Sequence, residues 1–384
     1  MKVLYSTQGD AEFDGSHYYH NGAQTNYKRY MCLGEEMTIL LSRKVVKNPT
    51  MSMIDGFVKL VFVKKINSIK KLLLYSFSNQ RKIKEAVKST DICVIHLPDG
   101  NGNTVVKYAK KYNKPYFCVV CGCAWDSLWN YDWRGKIVAP FSFLQARKSI
   151  KDAPYVIYVT TEFLQKRYPT NGRWIACSNV NINTGVYGVL KKRLEKINSY
   201  NDLANLRIGT SAAVDVSYKG QELVIKAISV LKKKGIVFEY HLIGRGDEKR
   251  LRAVAESEDA SELVVFHGSL PHDQVLPFLD DIDIYIQPSK TEGLPRATIE
   301  ALSRGCLCMG TDIAGLPELI DKKYLFPKGD VSRISDILQH ISKEDLKEQA
   351  QINYEIAKLY DKDCLTERRQ AFIYDFKRYC NIGL

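Results

Sequence analysis

Short apolar runs alternate with longer amphipathic stretches along this chain, and the alternation starts twice. The first series has runs of strand length at about 2–6, 37–42, 57–63, 92–97, 115–120, 155–159 and 174–177. Between them, helical spacing is found at about 23–33, 78–89, 103–112, 141–150 and 161–167. The stretch 185–204 is polar and basic with little pattern, and it reads as a linker. The series then resumes. Strands at about 206–210, 237–243, 263–266, 282–287 and 306–310 lead to helices at 221–234, 247–255, 272–279, 295–304 and 316–320. A final helical pattern at 363–380 has no strand after it.

Apolar strands separated by helices predict parallel sheets covered on both faces. The fold class is therefore α/β, with two Rossmann-like, doubly wound domains facing each other across a cleft. The expected domains are 1–187 and 188–352, with 353–384 a C-terminal helix packing back on the first. In open sheets of this kind, ligands lie beyond the carboxyl ends of the strands, so chemistry is sought there.

Composition narrows the class. Hydrophobic residues make up 45% of 384, enough for a core in each half. No run approaches the eighteen or so apolar residues of a membrane span, and MKVLYSTQGD reads as a buried strand rather than a signal peptide. A cytoplasmic protein is expected. Ten cysteines, scattered singly or in close pairs, fit reduced thiols. Cys118, Cys121 and Cys123 lack the second pair that a zinc site needs, and buried thiols are expected there. Charge is divided unevenly. Residues 1–196 carry 31 Lys and Arg against 14 Asp and Glu, a formal +17; residues 197–384 carry 25 against 29, or −4. The first half should therefore meet an anionic partner. The stretch from Lys59 to Lys88, with nine Lys or Arg among apolar residues, could lie on an anionic membrane surface.

The most specific segment is Pro288 to Gly305, PSKTEGLPRATIEALSRG. It is a strand end, a glycine loop and a helix with Pro295 in its first turn and Gly305 at its close. The N–H groups of Gly293, Leu294 and Arg296 would form an anion- or hydroxyl-binding corner. Glu292 and Glu300 can accept hydrogen bonds from sugar and ribose hydroxyls. A second segment, RIGTSAAVDVSYKGQE from Arg207 to Glu222, sets Lys219 at a helix start, where an ammonium faces phosphate well. A third, IGRGD, is a glycine turn with Gly244 and Arg245, and His267, Gly268 and Ser269 end the next strand.

These residues resemble glycosyltransferase family 4, the retaining enzymes of the GT-B fold. The resemblance rests on Glu292 and Glu300 with seven residues between them, and on the Lys219–Gly220 pair. The run YFCVVCGCAWDSLWNY and the later GKIVAP and YVIYVTTEFLQKRYP are similar to a bacterial branch linked to capsule and O-antigen synthesis. It implies a nucleotide-diphosphate sugar as co-substrate, with no other cofactor and no metal. It implies that Glu300 binds the ribose, Glu292 the donor sugar and Lys219 the diphosphate. Gly22, Gly209, Gly244, Arg245, Gly268, Gly293, Leu294 and Pro295 would line the donor pocket. The family's arginine about five residues before the lysine is missing, and Arg245 or a first-domain residue would compensate.

In the first domain the run after strand one reads as a long loop, in which His20 and Asn21 are candidates for the acceptor. Asp126 stands where the family usually places a histidine near the transferred sugar, and it is carried as a catalytic and acceptor-binding candidate. Asp281–Ile282–Asp283 spells a metal-binding signature of another fold, but here it reads as a solvated strand start. The expected partners are a nucleotide sugar, a lipid-linked or oligosaccharide acceptor and an anionic membrane surface at the inner face of the cytoplasmic membrane, with no nucleic acid. Other readings are a GT-B nucleotide-sugar epimerase, a basic nucleic-acid-binding protein and an inactive GT-B subunit.

Overall fold

The computed structural model describes residues 1–20, 26–49, 51–65, 69–203 and 206–381. The chain forms two compact units. The first comprises Met1–Trp129, Trp133–Asn179 and Thr366–Leu384; the second comprises Asn130–Asp132 and Val180–Leu365.

The first unit contains β1 (Lys2–Phe13), β2 (Tyr18–His20), β3 (Glu36–Val45), β4 (Ser52–Met53) and β5 (Lys59–Phe62). Then come α1 (Ile69–Lys88), β6 (Ile92–Leu97), α2 (Gly100–Lys111), β7 (Tyr116–Val120), α3 (Ala124–Trp129) and α4 (Trp133–Lys151). It continues with β8 (Tyr155–Tyr158), α5 (Phe163–Arg167) and β9 (Arg173–Ala176). The parallel strands run β5-β3-β1-β6-β7-β8-β9. Residues of β6, β7 and β8 are buried on both faces, as a sheet covered by helices on each side requires.

Part of the expected long loop after the first strand is strand. A register irregularity between Ser6 and Asp10 bends β1, which then continues to Phe13 beside β3. Beyond the bend β2 turns back antiparallel, with Glu12 opposite Tyr19, and Phe13 stacks on Tyr18. The polar residues Gln8, Asp10, Glu12 and Asp14 conceal this extension in the sequence. The helix expected at 23–33 is a short 3-10 helix at Lys28–Leu33 in its described part.

The second unit contains α6 (Val189–Asn198), β10 (Arg207–Ser211), α7 (Gln221–Lys232), β11 (Glu239–Ile243), α8 (Lys249–Ser257) and β12 (Val264–Phe266). There follow α9 (His272–Asp281), β13 (Ile284–Gln287), α10 (Arg296–Leu302), β14 (Leu307–Thr311), β15 (Leu325–Phe326), α11 (Val331–Gln339) and α12 (Lys343–Lys358). The last helix, α13 (Lys362–Tyr379), begins in this unit and continues in the first. The sheet is wholly parallel in the order β12-β11-β10-β13-β14-β15. This is the strand order of a doubly wound nucleotide-binding sheet, with its reversal between β10 and β13.

Two expectations for this unit are corrected. The stretch 185–204 is not a bare linker: it carries α6, whose buried positions are Val189, Arg193 and Ile197, four residues apart. Buried Arg193 donates to the carbonyls of Ile282 (2.6 Å), Leu279 (2.8 Å) and Arg304 (2.8 Å). It thereby satisfies carbonyls at the end of α9 and just past the end of α10. Asp283 is not solvated either. It is buried at the amino end of β13, accepting from the N–H of Arg207 and the hydroxyl of Tyr200, with Lys196 2.8 Å away. That position is the opposite end of the strand from Glu292, and the aspartate's partners give it a structural role.

Candidate functional site

The loops that leave β10 and β13 carry the candidate residues Lys219 and Glu292, at the reversal point of the second sheet. The loop after β10 leads through a 3-10 turn at Ser217–Lys219 into α7. Gly220 takes φ +73°, and a β-carbon there would lie 2.0 Å from the Pro288 carbonyl oxygen. Only glycine allows so close an approach of the two loops. The Lys290 N–H donates to the Tyr218 carbonyl at 2.7 Å and completes the join. Lys219 and Glu292 meet across this seam: Nζ lies 2.6 Å from Oε1, and both side chains are largely buried.

Behind Glu292 runs a buried polar chain that sequence reading missed. The Tyr285 hydroxyl donates to Oε1 of Gln287 at 2.7 Å. Nε2 of Gln287 donates to the Ser289 hydroxyl at 2.8 Å and to Oε1 of Glu292 at 2.9 Å. A carboxylate only accepts, so the Gln287 amide orientation is fixed. Tyr285, Gln287 and Ser289 are buried, and their groups are satisfied by one another. The signal in the sequence was a glutamine ending the buried strand IYIQ. Burial first, then the negative charges of Glu300 and Glu292, push the Tyr285 phenol well above its ordinary range. Glu300 lies in α10, where its carbonyl accepts from the Ser303 hydroxyl.

Two further cations were overlooked. Glu222, in the first turn of α7, accepts from Lys290 at 2.9 Å and from Arg250 at 3.1 Å. Burial alone would raise its pKa, but Lys290, helped by Arg250, holds it below the usual carboxylate range. Lys290 stands beside the Lys219 loop, whereas Arg245 is exposed on its turn.

The other expected donor residues separate into groups. Gly293 and Gly315 join the loops after β13 and β14 through a 3.0 Å hydrogen bond, and Leu294 and Pro295 are buried at the start of α10. Gly244 donates to the Gly268 carbonyl at 2.8 Å, so the turns after β11 and β12 are tied together. Gly209 lies inside β10, where a β-carbon would press on Ile282 at 2.7 Å; its smallness serves packing.

In the first unit, His20 is buried at the end of β2, and Asp126 lies in α3 in an ion pair with Arg167 at 3.0 Å. Asn21 and Gly22 lie outside the described residues. Cys118 and Cys123 are buried thiols, and burial raises both pKa values. Among the described residues no group of three or more His, Cys, Asp or Glu is placed to hold a metal ion, and no helix is long and apolar enough to cross a membrane.

Comparison with known proteins agrees with this architecture. Residues 197–358 match the family model for glycosyl transferases group 1. Protein CapJ of Staphylococcus aureus is 29% identical across 99% of this chain and 97% of its own length. The amylovoran biosynthesis glycosyltransferase AmsK of Erwinia amylovora is 34% identical over 134 residues, 32% of this chain and 33% of its own. The structure of Anabaena HepE in complex with UDP covers 98% of this chain and 100% of its own with a TM-score of 0.67; at 13% identity that likeness is one of fold. The fold is GT-B, and residues 197–358 carry the likeness to the glycosyl transferases group 1.

Proposed function

We propose that this protein is a retaining glycosyltransferase that moves a sugar from a nucleotide diphosphate to a lipid-linked glycan in the synthesis of a bacterial surface polysaccharide. The observation that carries the reading is the Lys219–Glu292 pair at the strand reversal, backed by Gln287 and flanked by Glu300. In this reading Lys219 and Lys290 neutralise the leaving diphosphate, Glu292 orients the donor sugar and Glu300 holds the ribose. Positioning and fixed charge supply the acceleration. The nucleotide is supported by the UDP that HepE binds, and the polysaccharide by the amylovoran pathway of AmsK. The lipid-linked acceptor and a place on the inner face of the cytoplasmic membrane are supported by the +17 charge of residues 1–196.

Glu300 gives the direct test. Glu300→Ala should weaken nucleotide diphosphate binding by about 1.5–3 kcal/mol, the range for hydrogen bonds to a charged group. Calorimetric titration with UDP and GDP reads this, and an unchanged affinity would remove Glu300 from the site. With lysines neutralising the diphosphate, transfer should also persist in excess EDTA. Complete loss that magnesium or manganese restores would return a metal to the reaction.

A further inference from the structure

Helix α4 is built inside out. Its buried positions are Gly135, Ala139, Ala146, Ser149 and Ile150, so the helix lies close on the unit through mostly small side chains. Its large apolar residues point the other way. Trp133 is 67% exposed, Ile137 61%, Phe141 73% and Leu144 61%. At 100° per residue these four fall within about 80° of one another, a single stripe about 17 Å long. A helix whose partner were only the protein beneath it would bury these side chains and expose the small ones. Exposed Tyr131 and half-exposed Trp129 stand at the stripe's leading end.

Charge chooses the occupant. Between Trp133 and Lys151 the helix has Arg134, Lys136, Arg147, Lys148 and Lys151 and no acidic residue. Arg134 and Lys136 lie over the rings of Trp133 and Trp129, at 5.5 and 5.8 Å. An apolar stripe flanked by cations, with indoles at one end, suits the boundary between acyl chains and anionic headgroups. A protein partner of matching shape would need a row of acidic residues around an apolar groove. The bilayer offers both at once.

We propose that α4 is the membrane-seating element of this protein, with Trp133, Ile137, Phe141 and Leu144 entering the headgroup boundary of an anionic bilayer and Arg134, Lys136, Arg147 and Lys148 contacting phosphates. The inference rests on the membrane location proposed above. It moves the contact from residues 59–88, whose charge first suggested it, to an element where apolar and basic groups coincide.

The test uses the full chain and sedimentation with vesicles of phosphatidylcholine containing one part in three phosphatidylglycerol. The native chain should bind these vesicles, bind pure phosphatidylcholine far less, and be partly released by high salt. The triple variant Ile137→Ser, Phe141→Ser, Leu144→Ser should bind at least tenfold more weakly while keeping native affinity for nucleotide diphosphate, since all three positions are exposed. Reversing Arg134, Lys136 and Arg147 to Glu should weaken binding similarly. Native binding by both variants would overturn the assignment to α4. So would release by reversal of Lys64, Lys65, Lys70 and Lys71 alone. If light scattering shows a native dimer that the triple variant abolishes, a second copy occupies the stripe and the proposal fails. Failure of the native chain to bind either vesicle would overturn the membrane location itself.

Discussion

Lys219→Ala should lower the transfer rate by about a hundred- to a thousandfold, the effect of removing one preorganised group that stabilises developing charge. Two losses combine in this variant. On the proposed reading the diphosphate loses an ammonium, and Glu292 loses the partner that holds Oε1 at 2.6 Å while the Gln287 amide remains. Because both side chains are largely screened from water, the pair is worth more than a surface ion pair. Lys219→Arg should recover part of the rate, since charge returns while the geometry of a compact ammonium does not. Single-turnover measurement of sugar transfer from a nucleotide sugar reads the effect at saturating donor. A rate within threefold of the native value would remove Lys219 from the reaction.

The second large effect concerns stability. Arg193→Met should destabilise the second unit by about 3–5 kcal/mol, the cost of removing one partner from a buried charged network. The guanidinium satisfies three carbonyls and stands 3.9 Å from Asp283; methionine fills the space but donates nothing. Lys196 and Tyr200 would remain on Asp283, which keeps the effect short of collapse. Urea unfolding followed by tryptophan-independent probes of the second unit, such as amide exchange in β10 and β13, is the appropriate measurement. A loss under 1 kcal/mol would show that water replaces the guanidinium without strain.

Arg193 also marks the limit of what pattern reading could recover. Helix α6 has apolar or partly apolar character at 189, 190, 194 and 197, but the position that completes its buried stripe is an arginine. Its polarity reads as exposure, so the pattern predicts a linker where a packed helix stands. The parallel strands were legible because their residues are buried on both faces and leave unbroken apolar runs. The polar continuation of β1 past its bend was not. In the site, Glu292, Glu300 and Lys219 stand in motifs whose spacing is readable. Gln287 meets Ser289 and Glu292 close by in sequence but ends a buried apolar strand, and the pairing of Lys290 with Glu222, 68 residues apart, has no local signature. Helix α4 begins eight residues before the predicted 141–150, with Gly135 and Pro140, which usually disfavour a helix, inside its first half.

The division of the chain has a consequence for the order of assembly during synthesis. The first unit is left incomplete at Asn179 and recovers its missing piece only at Thr366. That piece is not peripheral. Phe376 packs edge-on to Phe117 and Tyr155, Phe372 joins the same cluster, and Asp375 accepts from the Tyr155 hydroxyl across 220 residues of sequence. A ribosome therefore releases the sheet of the first unit long before its last aromatic layer exists, while the second unit emerges with nearly all of its own contacts in hand. The later-made unit should reach its native state first, and the earlier-made one should wait, with an apolar surface uncovered, until the segment from Thr366 onward has been made.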